Sequence, residues 1–110
     1  MTDSQCKIIM TKYSIGDLVH HKLFDYRGVV IDVDPYFQLP EEWYERVARS
    51  RPPKDKPWYH VLVHNTASLT YVAEKNLEAD PSGNKINHPM VDKIFTSLQN
   101  GRYLSGTKAS

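Results

Sequence analysis

The sequence predicts a mainly β domain: a small, strongly curved antiparallel SH3-like barrel with one inserted short helix and a C-terminal helix. Three observations carry that prediction. Short runs of β-branched and aromatic residues recur along the chain, turn-forming residues separate them, and helical spacing is confined to two stretches. The 110 residues fit one domain, read as residues 13–98 between a flexible leader, 1–12, and a flexible tail, 99–110.

The first β-rich stretch is "IGDLVHHKLFDYRGVVIDVDP", where Gly16-Asp17 and Asp25-Tyr26-Arg27-Gly28 punctuate two runs. Two antiparallel strands result. In the second, Val29, Ile31 and Val33 fall on one face, and Val30, Asp32 and Asp34 on the other. Asp34-Pro35 stops it, because proline removes a ladder donor.

"LPEEWYERVARSR" reads as the inserted helix. Pro40 suits the first turn, Glu41 and Glu42 the positive end of the dipole, and Arg46 and Arg49 the negative end. Trp43 and Val47, joined by Tyr44, form its apolar stripe. Pro52-Pro53 forbids continuation.

"WYHVLVHN" and "LTYVAEKNL" form the next strand pair, joined through Thr66-Ala67-Ser68. Downstream, "MVDKIFTSLQ" places Val91, Ile94, Phe95 and Leu98 at helical spacing, and "NGRYLSGTKAS" reads as a frayed end.

Fourteen basic residues against thirteen acidic give a net charge of +1, too balanced to mark a nucleic-acid binder by itself. The charge is concentrated locally instead. "RVARSRPPKDK", residues 46–56, holds Arg46, Arg49, Arg51, Lys54 and Lys56 against Asp55 alone. Such a run serves either as solvated surface or as a phosphate-contacting patch whose affinity falls with salt. Trp58 and Tyr59 follow directly, and each is a candidate for the core or for stacking on a partner.

No metal site, cofactor or catalytic group is expected. His60 and His64 lie about 13 Å apart along a strand, too far to share one ion, and adjacent His20 and His21 face opposite sides. Asp32 and Asp34 share a face but have no acidic cluster beside them; solvation and strand termination are their expected work. The single cysteine, Cys6, lies in the leader and excludes an internal disulfide, which fits a cytoplasmic home. "KIIM", residues 7–10, is too short for a signal or membrane segment, and Met10 is an alternative start.

Taken together, "YSIGDLVHHKLFDYRGVVIDVDP", "RPPKDKPWYHVLV", "TYVAEKNL" and "SGNKINHPMVDKIF" resemble the HspQ family, also called YccV-like or hemimethylated-DNA-binding, from about Tyr13 to Phe95. The resemblance implies a non-enzymatic, cytoplasmic, barrel-like domain able to self-associate. It implies binding to double-stranded, hemimethylated DNA and a heat-shock role in protein turnover, including that of a replication initiator, by an ATP-dependent protease. Carried over by position, the DNA or partner contacts include His20, Lys22, Arg27, Arg51, Lys54, Lys56, Trp58 and Tyr59. His20 stands where the family usually has a basic residue, and the "HNTAS" turn is less acidic than is common in relatives. An alternative role, as a protein adaptor without DNA affinity, would use Tyr36, Phe37 and Tyr103-Leu104.

Overall fold

A computed structural model of the chain describes residues 10–48 and 50–105; Cys6 and Arg49 lie outside the described residues. The fold is mainly β, with antiparallel sheets and two short helices. β1 (Leu18–His21) and β2 (Arg27–Asp34) form the first hairpin, with Leu18 opposite Val29. α1 (Glu41–Val47) follows, then β3 (Trp58–Val63) and β4 (Leu69–Ala73), which pair with Trp58 opposite Ala73.

A 3-10 turn, Glu74–Asn76, carries the chain from β4 to β5 (Leu77–Ala79), which pairs with β1. The five strands therefore lie in the order β4-β3-β2-β1-β5. β4 and β5 are the two edges. They make no ladder with each other among the described residues, so the predicted closed barrel is not found; the sheet is open.

The C-terminal region corrects the predicted helix. α2 is a single turn, Val91–Ile94, and β6 (Phe95–Gln99) then pairs with β7 (Arg102–Ser105) through Asn100 and Gly101, both at positive φ. Val91, Ile94, Phe95 and Leu98 do converge on one cluster, which explains why their spacing mimics a longer helix. Residues 99–105, read as part of a frayed tail, instead carry a strand with Tyr103 buried. Tyr103 N–H donates to Gly16 O at 2.9 Å, and its hydroxyl accepts the Ile86 N–H at 2.9 Å.

Three apolar clusters line the sheet. Leu18, Val29 and Leu62 meet Val91, Phe95 and Tyr103 on one face; Val19, Val30, Tyr59, Val61 and Val72 fill the other. The third cluster packs Tyr44 of α1 and the adjoining Ala48 against Trp58 and Ala73. A bulge shifts the β2–β3 register between Val30 and Asp32 and moves Val33 to the Val30 face, away from Val29 and Ile31. On α1, Tyr44 is buried and Val47 is exposed, so the stripe is centred one residue off the predicted one. No helix among the described residues is long and apolar enough to cross a membrane.

Candidate nucleic-acid interface

The cationic run starts with Arg46 in the last turn of α1 and continues through the α1–β3 connection, and three hydrogen bonds pin that connection to the core. Tyr44 Oη donates to Pro52 O at 2.7 Å, Trp58 Nε1 to Pro53 O at 3.1 Å, and Phe37 N–H to Lys54 O at 2.9 Å. Pro52 is fully buried, and Arg51 takes a left-handed φ of 52° as the chain reverses out of α1. The backbone that presents the cations is thereby fixed before any partner arrives.

The cations themselves differ. Arg51 pairs with Glu45 at 2.9 Å, and its guanidinium lies 5.1 Å from the Tyr44 ring centre. Lys54 pairs with Glu41 and sits 4.3 Å from the same ring. Arg46 and Lys56 make no ion pair among the described residues. Helix α1 thus folds its acids back onto the run: over residues 41–56 the sequence holds five cations and four acids. Exposed pairs of this kind contribute little to stability, so a phosphate can exchange for a carboxylate at little cost.

The candidates from the first hairpin do not all join this surface. Lys22 is exposed; its N–H donates to Asn76 O at 2.8 Å, and the Asn76 amide reaches Ser50 Oγ at 3.5 Å, which links the β1–β2 turn to the cationic connection. Arg27 turns elsewhere. Its Nε donates to Asp80 at 2.7 Å and its Nη2 to Asn84 O, so its charge is spent inside the fold. Burial by itself would raise the Asp80 carboxyl, but Arg27, with Ser82, holds it below its ordinary value.

His20 is likewise engaged. Its Nε2 lies 2.7 Å from Asp25 Oδ1 and its Nδ1 2.7 Å from Glu78 Oε2. Those hydrogen bonds, to Asp25 and then to Glu78, raise its pKa and favour an imidazolium whose charge is already answered. Trp58 is 1% exposed and Tyr59 fully buried, so neither ring is available to a base from outside. Of the alternative docking residues, Tyr36 and Leu104 are exposed, Tyr103 is buried, and Phe37 packs on Trp43, Tyr44 and Trp58.

Two features were not legible in the chain. Asp32, Asp34 and His60 converge, with one ligand-capable atom from each within 4.8 Å of the others, because β3 brings His60 opposite Asp32. The group is already satisfied internally: Asp34 Oδ2 accepts from Tyr71 Oη at 2.6 Å and faces His60 Nε2 at 3.3 Å, while Asp32 Oδ1 accepts the Val33 N–H. The second feature is an apolar cleft of about 780 Å³ beside β4, rimmed by Leu23, Phe24 and Leu69. The apolar pair Leu23-Phe24 inside a turn was its sequence signal.

A family model described as hemimethylated DNA-binding protein YccV like matches residues 11–102, nearly all of the described chain. The chain belongs to this YccV-like family.

Proposed function

From that membership we propose that the chain is a non-enzymatic module that binds duplex DNA through the α1–β3 connection. The observation that carries the reading is the presentation of Arg51, Lys54 and Lys56 on a loop whose carbonyls are tied to Tyr44 and Trp58, with Arg46 beside them in the last turn of α1. Arg49 belongs to the same run by sequence, and Lys22 extends the surface from the neighbouring turn. Arg27 and His20 support the fold rather than the contact.

Phosphate contacts position a protein on DNA, whereas base or shape readout confers specificity. The deciding experiment is therefore binding to hemimethylated, fully methylated and unmethylated duplexes across a salt series. Tighter binding to the hemimethylated duplex at every salt concentration supports recognition of methylation state; equal affinities reduce the activity to electrostatic attachment.

A second reading is a cytoplasmic stress-response adaptor that modulates turnover by an ATP-dependent protease. The apolar cleft beside β4 favours it, because a purely phosphate-binding surface has no use for exposed Leu23, Phe24 and Leu69. Reconstituted proteolysis of a candidate substrate with and without the chain tests it; an unchanged substrate half-life overturns it.

A further inference from the structure

We propose that the cleft beside β4 is a docking groove for an extended peptide, which adds as a strand to the free edge of β4 and carries acidic residues flanking an apolar run. Such docking deepens the adaptor reading, shares Lys22 and Arg46 with the DNA surface without requiring DNA binding, and follows from backbone direction. Val63 N–H donates to Ser68 O and Glu74 N–H to Pro57 O, fixing the hydrogen-bonded pairs of the β3–β4 ladder. Alternation then turns the N–H and C=O groups of Thr70 and Val72 toward β3, and those of Leu69, Tyr71 and Ala73 away from it. β4 is an edge of the sheet, so those outward groups have no strand partner.

Residues of both parities, Leu69, Tyr71 and Ala73 as well as Thr70 and Val72, line the cleft. Side chains of opposite parity point to opposite faces, so a cleft touching both runs along the strand's edge. Its far walls are apolar: Phe24 and Tyr26 from the β1–β2 turn, Trp43 and Val47 from α1. Phe24 is 74% exposed, Leu23 58% and Leu69 55%. Sheet edges are usually protected by charge or proline, yet "LTYVA" contains neither. Leu69 is exposed and Thr70 and Tyr71 are half-buried, whereas Val72 and Ala73 are covered, so an added strand pairs along the Leu69–Tyr71 end of β4, the geometry of peptide addition to a sheet edge.

Rim charge selects the flanks. Lys22, Arg46 and Lys75 each neighbour a lining residue in the chain and make no ion pair among the described residues. Nearby acids are mostly occupied: Asp25 by His20, Glu45 by Arg51, Asp34 by Tyr71 and His60, and Glu74 by the Tyr59 hydroxyl, leaving Glu42 and Asp32 against the three cations. Complementarity therefore favours carboxylates on the incoming peptide.

The test uses the full chain and a fluorescein-labelled peptide, Asp-Glu-Val-Thr-Leu-Thr-Val-Glu, read by anisotropy. Saturable binding is expected, weakened about tenfold by Phe24→Ser, by Leu69→Lys, or by lysine in place of the acidic flanks. N-methylating alternate peptide amides along one edge abolishes binding, and the opposite edge tolerates it, as strand addition requires. Phe24 and Leu69 are exposed, so thermal melts of both variants match the parent and exclude unfolding. Absence of saturation, or equal effects of the two N-methylated peptides, overturns the proposal. So does sedimentation showing a dimer that Leu69→Lys dissociates while no peptide binds, which assigns the edge to a second copy of the chain.

Discussion

Tyr71 Oη donates to Asp34 Oδ2 at 2.6 Å, joining edge strand β4 to the end of β2 across the width of β3. The same oxygen accepts the Gln38 N–H at 3.1 Å, and the ring lies 5.2 Å from that of Trp58. Burial, reinforced by the Asp34 carboxylate, pushes the phenol well above its ordinary pKa, so it stays a donor across the working pH range. Tyr71→Phe keeps the ring and removes the bond, and is expected to destabilise the chain by about 1–2 kcal/mol in urea unfolding. An unchanged midpoint would show that the bond is structurally idle.

Two adjacent histidines set opposite limbs of the stability–pH curve. His20, raised by Asp25 and Glu78, contributes stability that is complete below the ordinary imidazole pKa of about 6.5 and is lost as pH rises through its folded value. His21, lowered by burial and by the charge of His20, contributes stability present above about 6.5 and lost as pH falls through its folded value. Stability should therefore peak near pH 6.5. His20→Gln is expected to flatten the alkaline limb and to shorten the acid limb only by the share that the His20 charge adds to the burial of His21, as followed by urea midpoints from about pH 5 to about pH 8.5.

The Arg27–Asp80 pair is structural. The Asp80 side chain is 4% exposed, so Arg27→Ala leaves a buried carboxylate without its cation, at an expected cost of about 3 kcal/mol. Asp80→Asn together with Arg27→Gln should recover part of that loss. DNA affinity, measured well below the melting temperature, should change little in the double variant, because Arg27 does not face the cationic connection.

Among the cations of the run, Arg46 at the end of α1 and Lys56 in the α1–β3 connection need release no carboxylate to meet a phosphate. Replacing both by glutamine is expected to reduce the slope of log affinity against log salt by about 0.9 for each phosphate that is no longer neutralised. A slope identical to the parent's would place the DNA elsewhere.

The β6–β7 hairpin is secured at Gly16, whose φ is 99° and whose position leaves 2.2 Å between an added Cβ and Tyr103 O. Gly16→Ala must displace β7 or the turn before β1, and an expected destabilisation of about 2–4 kcal/mol follows. Hydrogen exchange at Ile86 and Tyr103 should accelerate first, since the Tyr103 hydroxyl and N–H hold both ends of that contact. Uniform acceleration across all strands would show that the hairpin is not a separate unit.

Local pattern sufficed where one residue type admits one backbone outcome. Pro35 and Pro52-Pro53 bound the α1 region, Gly28 sits in the first hairpin, and β-branched runs mark β2, β3 and β4, all visible without coordinates. The helical spacing of Val91, Ile94, Phe95 and Leu98 misled, because a one-turn helix running into a strand brings the same side chains to the same cluster. The bulge near Ile31 was hidden for a related reason: period-two alternation assumes that no residue is inserted, and only pairing with β3 exposes the insertion.

By itself, the sequence determined the β-rich class, the first two hairpins, the inserted helix and the existence of a cationic run, since these follow from backbone preferences and local charge. Tertiary structure decided which charges remain available and which edges remain open. Glu41 and Glu45 reach their cations across a helix and a loop, Asp80 reaches Arg27 across 53 residues, and β5 pairs with β1 while β4 is left unpaired on its outer side. Those outcomes depend on distances between segments far apart in the chain, which composition and periodicity do not encode.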